Sequence, residues 1–197
     1  MRFRRFGAMV LAGLGLVVIV TGCATRDTAR SPDVAIGSGV SLALPMPPGY
    51  PRKITVLQTV QGAYGDQRRT FQSVISLSPD TVQVIMTLPG GPRIMTIHWS
   101  AERVTTERTA LAPSDLKGEN VLADIMITLW DAASIGTALS SGATITEADG
   151  IRTIRSAGRD VITVRYNDKT DDTKRMVLTN HDFGYELAIS SQRTEGG

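Results

Sequence analysis

Side chains that could carry catalysis are few in this sequence of 197 residues. The two histidines, His98 and His181, fall in a predicted strand and a predicted turn. The motifs GxSxG, CxxC and HExxH and the Walker loop are all missing from the sequence, so nothing indicates an activated nucleophile. Asp168, Asp171 and Asp172 could hold a cation, but they lack the glycine and terminal glutamate of an EF-hand, so a solvated loop is favoured. We expect no enzymatic activity and no metal site.

Cys23 is the one residue whose position predicts chemistry, and it is the only cysteine in the chain. It follows a basic start and an apolar run from Gly7 to Val20, which is the pattern of a secretory signal. The run is shorter than the roughly 20 apolar residues of a membrane-spanning helix, although an uncleaved anchor is the alternative. A lone cysteine has no disulfide partner. Residues 1–22 are therefore predicted to be a signal peptide.

The segment Val20-Thr-Gly-Cys23 resembles the lipobox of bacterial lipoproteins, with Val20 at the position where Leu is most common. The resemblance implies cleavage before Cys23, a diacylglycerol on its thiol and an acyl group on its new amino terminus. Several chains anchor a protein firmly where one chain does not. Apart from these covalent groups, no cofactor is expected. Ala24 stands in place of the aspartate that marks inner-membrane retention, which implies the periplasmic face of the outer membrane.

The charge balance excludes an obvious nucleic-acid partner. The chain has 21 Lys and Arg against 19 Asp and Glu, and three of the arginines lie in the leader, which leaves 18 basic residues in the mature chain. The mature chain is therefore close to neutral. Its length is sufficient for one domain with a sizeable core.

Residues 23–50 are predicted to be an acylated anchor and tether. The segment beginning at Ala24 is polar, and prolines recur from Pro45 to Pro51. Such a segment is extended and can hold a globular body away from a bilayer. Residues 51–197 are predicted to form a single β-rich domain facing the periplasm.

The pattern of this domain predicts α+β architecture. Runs of β-branched residues between Gly, Pro and Asp clusters predict strands at 54–60, 70–77, 81–88, 93–99, 103–109, 143–147, 151–155, 161–166, 175–179 and 185–190. Helical patterns interrupt the strands at 119–130 and 132–139. We therefore expect a large curved antiparallel sheet with helices covering its concave face.

The first helix carries a broad apolar stripe formed by Val121, Leu122, Ile125, Met126, Leu129 and Trp130. These side chains could fill a solid core, or Leu122, Ile125, Met126, Leu129 and Trp130 could line an apolar cavity that binds a long ligand. Asp124 interrupts the stripe. It lies either on the wet edge of the helix or at the mouth of that cavity, where it would meet an arginine from the sheet.

The string Val121-Leu-Ala-Asp-Ile-Met-Ile-Thr-Leu-Trp130 and the strand Val161-Ile-Thr-Val-Arg-Tyr166 resemble a family of bacterial lipoproteins with a domain of unknown function, often encoded with aryl-polyene biosynthesis genes. In that family a proline usually follows the tryptophan, whereas this chain has Asp131. The family is similar to the LolA/LolB lipoprotein carriers, which are unclosed β-barrels with helices over a hydrophobic cavity.

The resemblance implies an anchored periplasmic protein that binds an acyl chain, a lipid or a lipoprotein, in lipid or aryl-polyene export or in lipoprotein localisation. Its implied partners are the membrane, reached through the lipid anchor, and that apolar ligand. The alternative is a scaffold lipoprotein of an envelope complex, with a solid core and no ligand.

Overall fold

The computed structural model describes residues 25–29, 32–44, 53–169 and 173–195. The strands are β1 (Thr25–Ala29), β2 (Asp33–Gly37), β3 (Val40–Ala43), β4 (Ile54–Tyr64), β5 (Gln67–Leu77), β6 (Thr81–Thr87), β7 (Arg93–Ser100), β8 (Val104–Arg108), β9 (Ala143–Ala148), β10 (Ile151–Ser156), β11 (Arg159–Lys169), β12 (Thr173–Asn180) and β13 (Tyr185–Glu195). The helices are α1 (Gly118–Leu129) and α2 (Ala132–Ala138). Every strand and helix predicted from the sequence is confirmed, with ends shifted by a few residues.

Eleven strands form one antiparallel sheet in the order β1-β8-β7-β6-β5-β4-β13-β12-β11-β10-β9. Strands β4 to β8 form one meander and β9 to β13 form a second, and the two meanders meet where β4 pairs with β13. Among the described residues the outer strands β1 and β9 do not pair with each other, so the sheet is unclosed. The expected curved α+β sheet is confirmed at this level.

The position of the helices follows from the strand order. Strand β8 lies near one side of the sheet and β9 lies at the other, yet α1 and α2 connect them directly. The connection must therefore cross a whole face of the sheet. Inward residues of the strands, including Ile75, Ile97 and Val164, are fully buried beneath it. The hydrophobic core therefore lies between the helices and the face of the sheet that they cover.

The hairpin of β2 and β3 corrects the prediction of a tether over residues 23–50. Val34, Ile36, Val40 and Leu42 are all at most 5% exposed and belong to the hydrophobic core. Asn180 donates to the carbonyl of Ile36 at 2.9 Å, which ties the hairpin to the sheet. These apolar side chains alternate along the hairpin and need burial, so the segment packs with the domain. The Pro-rich part of the predicted tether, at 45–51, lies outside the described residues, as do the leader and Cys23.

Helix α1 is buried on most of its circumference because the sheet lies on one side and β2 contacts another. Leu122, Met126 and Ile127 are at most 1% exposed. Where α1 begins, Gly118 lies against Thr106, and a Cβ atom there would meet the threonine hydroxyl oxygen at 2.1 Å. Only glycine allows this close approach of helix and strand.

Candidate functional site

A cavity of about 610 Å³ opens between the inward face of the sheet, the first turns of α1 and the hairpin strand β2. Most of its lining is apolar, with a few charged side chains near the opening. The lining residues are Val34, Ala35, Ile36, Gly62, Ala63, Tyr64, Gln67, Arg69, Phe71, Pro113, Asp115, Leu116, Lys117, Asn120, Ala123, Asp124, Asp182, Phe183, Tyr185 and Leu187. This volume falls within the range of about 300–1,000 Å³ found for small-molecule sites.

The inner wall of the cavity is built by neighbouring strands in register. Gly62 on β4 pairs with Leu187 on β13, and a Cβ atom on Gly62 would lie 3.4 Å from the Leu187 side chain. Glycine at this position leaves open space where another residue would fill the wall. Phe71 and Ile36 supply further buried apolar surface. The wall is therefore suited to an apolar group.

Two aromatic side chains at the opening are partly exposed to solvent. Tyr64 is 64% exposed and Phe183 is 40% exposed. Large apolar side chains at the edge of a cavity leave surface that a ligand or a lipid can cover. Arg69 and Lys117 place cations at the same opening, together with the carboxylate of Asp115. The opening is thus apolar with a charged margin.

Asp124 and Tyr185 form a polar pair on the cavity wall. The Tyr185 hydroxyl donates to the Asp124 carboxylate at 2.8 Å. Burial raises the pKa of Asp124 to about 7, although the hydrogen bond from Tyr185 opposes this shift. Burial and the neighbouring Asp124 carboxylate also raise the pKa of Tyr185. Near neutral pH the cavity wall therefore carries a carboxyl group that is protonated in part of the molecules.

Asp182 contributes little free charge to the cavity. Its carboxylate accepts from Arg159 and, at 2.7 Å, from the backbone N–H of Ser38. The hydrogen bond from Arg159 lowers the pKa of Asp182. This cluster fixes the turn of the β2–β3 hairpin against the loop between β12 and β13. We assign it a positioning role at the cavity edge.

A second polar cluster holds the other end of α1. Arg152 is 5% exposed and donates to the carbonyl oxygens of Ile127 at 2.5 Å and Trp130 at 2.8 Å. It also pairs with Glu147 at 2.5 Å. The last carbonyls of a helix lack partners within the helix and carry partial negative charge, so a guanidinium satisfies them well. Arg152 therefore anchors the helix to the sheet.

None of the residues predicted to line an apolar cavity lines the cavity of about 610 Å³. Leu122, Ile125 and Met126 are at most 5% exposed and pack in the core, outside the lining of the cavity of about 610 Å³. Leu129 and Trp130 line a smaller cavity of about 280 Å³ beside Arg152. The cavity instead uses the opposite face of α1, through Asn120, Ala123 and Asp124.

Asp124 thus lies on the cavity wall, but its partner is Tyr185, whereas the sequence suggested an arginine. The inward arginine, Arg152, binds the helix end. Strand alternation in the sequence could have identified Tyr185 and Arg152 as inward residues. It places Tyr185 on the same face as Leu187, and Arg152 on the same face as Ile154. The wall formed by Val34 and Ile36 is not predicted, because the sequence predicts a tether where the structure has the β2–β3 hairpin.

The histidines take surface positions. His98 lies 3.5 Å from the Gln83 amide nitrogen, and His181 lies 3.1 Å from the Thr163 hydroxyl. Within the described ranges, no group of three or more His, Cys, Asp or Glu residues is arranged to hold a metal ion. No helix in the described part of the chain is both long and apolar enough to cross a membrane.

Comparison with known proteins places most of this domain in one family. A model of the family described as a protein of unknown function (DUF3261) matches residues 55–193. That span includes both helices, β5 to β12, all of β4 except Ile54 and most of β13. No curated protein matches the chain.

Proposed function

The chain belongs to the DUF3261 family, and we propose that it binds an acyl chain, a lipid or the acylated end of a lipoprotein in the cavity between α1, β2 and the sheet. The observation that carries the proposal is the cavity itself, which has a volume of about 610 Å³. Its inner wall of Phe71, Ile36 and Leu187 favours apolar atoms. Burial of apolar surface contributes about 25 cal/mol per Å², so a long hydrocarbon chain would bind well there.

The Asp124–Tyr185 pair would orient such a ligand. A carboxyl group whose pKa is near 7 can accept a hydrogen bond or, when protonated, donate one. It therefore suits a ligand with a hydroxyl, amide or ester group next to its apolar chain. The cations Arg69 and Lys117 at the opening suit an anionic group at the outer end of the ligand.

The proposal includes attachment through Cys23 to the periplasmic face of the outer membrane, with lipid or aryl-polyene export or lipoprotein localisation as the process served. Support comes from the lipobox-like segment at Val20–Cys23 and from the unclosed sheet with its helix-covered face. A LolA/LolB-like carrier would have this combination of anchor, unclosed sheet and cavity. The proposal includes no enzymatic step and no cofactor apart from the acyl groups on Cys23.

Binding can be tested with one variant and a matched control. Leu187→Trp places a large ring in the cavity, whereas Leu57→Trp places the same ring on the outer face of β4, where Leu57 is 42% exposed. The probe is a pyrene-labelled long-chain fatty acid, titrated into each purified protein and followed by fluorescence. Native mass spectrometry of the same samples shows whether a cellular lipid already occupies the cavity.

We expect the wild type and Leu57→Trp to bind the probe and Leu187→Trp to lose most of this binding. Equal binding by both variants would place the ligand outside this cavity. A wild-type protein that carries no cellular lipid and does not bind the probe would favour the scaffold role. A substitution at Leu122 or Ile125 would be a poor test, because both side chains are buried in the core and enlargement would strain it.

A further inference from the structure

Strand β1 connects the start of the mature chain to the part of the sheet that leads into the cavity opening. Its first residue, Thr25, pairs with Arg108 at the end of β8. The Arg108 guanidinium donates to the carbonyl oxygen of Pro113 at 2.7 Å, and Pro113 lines the cavity. Thr25 is therefore linked to the loop at the opening through its pairing with Arg108 and the hydrogen bond from Arg108 to Pro113.

The short distance from Thr25 to Cys23 makes this connection informative. Two peptide units join these residues, and they span at most about 7 Å when fully extended. An acyl group on Cys23 would therefore hold the end of β8 and the loop after it close to the lipid surface. This differs from a body that a long tether lets rotate freely above the bilayer.

The same end of the sheet carries exposed apolar and cationic side chains. Leu111, in the loop after β8, is 56% exposed, and the aromatic residues Tyr64 and Phe183 are exposed at the opening. Arg69 and Lys117 lie among them, with Asp115 as a nearby acid. Aromatic and apolar side chains mixed with cations are typical of surfaces that contact the headgroup region of a bilayer.

The opposite end of the sheet has a different surface. The turns there expose the acids Asp80, Glu102 and Asp149 together with the cations Lys53 and Arg103. None of the described residues in these turns is an exposed large apolar side chain. These turns therefore lack the apolar side chains that enter the headgroup region of a bilayer. The two ends therefore differ in exposed apolar surface, which lies at the end with the cavity opening.

We infer that the protein docks directly on a lipid bilayer with the cavity opening facing the lipid, through the surface formed by Tyr64, Leu111, Phe183, Arg69 and Lys117. The inference rests on the proposed acylation of Cys23. It implies that a ligand passes between the cavity and the adjacent leaflet without crossing bulk water. The lipid anchor then acts as an orienting device as well as an attachment.

The test measures the depth of two labels on the intact, acylated chain. Leu111→Cys places a label in the loop after β8, two residues from the lining residue Pro113. Glu102→Cys places a matched label in the turn before β8, at the opposite end of the sheet. Cys23 bears its diacylglycerol, so the introduced thiol is the one that reacts with the fluorophore. Each protein is reconstituted in vesicles of phosphatidylethanolamine and phosphatidylglycerol that contain brominated acyl chains.

We expect quenching of the Leu111 label to exceed that of the Glu102 label by at least about twofold. The two positions differ by roughly 20 Å along the strand direction, which is more than the roughly 15 Å thickness of one hydrocarbon leaflet. Equal quenching, or stronger quenching at Glu102, would overturn the inference. Modification of Cys23 by the fluorophore, or failure of the chain to remain with vesicles, would overturn it as well. Binding of the pyrene fatty acid by the same proteins reports separately on the cavity.

Discussion

Replacing Asp124 with Asn should change how the stability of the protein depends on pH. The pKa of Asp124 is about 7 in the folded protein and near 3.8 in an unfolded chain. The folded state therefore binds the proton more tightly, and stability is greatest when the group is protonated in both states. It falls as the pH rises from about 4 to about 7 and is constant above that range. A shift of about three units at about 1.4 kcal/mol per unit gives a loss of at most about 4 kcal/mol.

Asp124→Asn removes the titrating group but keeps an oxygen that accepts from Tyr185. At a pH of about 8 the variant should exceed the wild type in free energy of unfolding by up to about 4 kcal/mol, and the difference should vanish near pH 4. Urea unfolding of the ligand-free protein, followed by the fluorescence of Trp99 and Trp130, measures this difference across the pH range. All other side chains are the same in the two proteins, so the comparison isolates the effect of residue 124.

Tyr185→Phe provides a control because it removes the donor that lowers the pKa of Asp124. In this background the pH at which the Asp-to-Asn difference is half complete should move upward. A difference that does not depend on pH would show that Asp124 is solvated in the folded protein. A midpoint that stays unchanged in Tyr185→Phe would show that the hydrogen bond does not control the titration.

Three further substitutions test how the helix and hairpin are held. Arg152→Met should lower the free energy of unfolding by about 3–5 kcal/mol, because it leaves two buried helix carbonyls without their donor and removes the ion pair with Glu147. Arg155→Met removes an exposed pair and should cost about 0–1 kcal/mol, and urea midpoints compare the two variants. Gly118→Ala should cost about 1–3 kcal/mol through the clash with Thr106, and thermal unfolding should show a smaller loss when Thr106→Ala is combined with it. Asn180→Ala should leave two backbone groups without partners and cost about 1–3 kcal/mol, with faster hydrogen exchange confined at first to the β2–β3 hairpin. Full stability of Arg152→Met, Gly118→Ala or Asn180→Ala would contradict the role given to the replaced side chain.

The strands and helices of residues 54–190 could be predicted because local signals agree there. Clusters such as Ser78-Pro-Asp80 and Asp149-Gly150 separate runs of β-branched residues, and only the 119–130 segment has a long helical period. These signals act over a few residues, and the final structure follows them. The pairing of β4 with β13 was beyond such reasoning because it joins distant segments.

The β2–β3 hairpin was within reach of the sequence but was missed. Val34, Ile36, Val40 and Leu42 alternate, yet the polar residues before them and the prolines after them suggested one continuous tether. Strand β1 gave no comparable signal, since Thr25–Ala29 has no apolar alternation and joins the sheet through its backbone. Local composition therefore identified the domain but placed its first boundary too late.

The cavity could be predicted in kind but not in position. Each face of an apolar helix that covers a sheet can either pack against side chains or line a cavity. The sequence does not indicate which face of α1 does which. Here the broad stripe of Leu122 and Met126 fills the core, and the narrow polar line with Asp124 faces the cavity. The position of the cavity depends on β2, which forms its third wall beside α1 and the sheet.

The pairing of β4 with β13 also has a consequence for how the chain folds. Tyr64 pairs with Tyr185 and Ile54 pairs with Glu195, so the two meanders join through residues far apart in sequence. Contacts of this kind form slowly because a long loop must close first. During synthesis the β4 edge emerges long before its partner, and an unpaired edge can pair with other chains. The chain is therefore most prone to aggregate before β13 docks, and a chaperone that covers the β4 edge would reduce aggregation during that period.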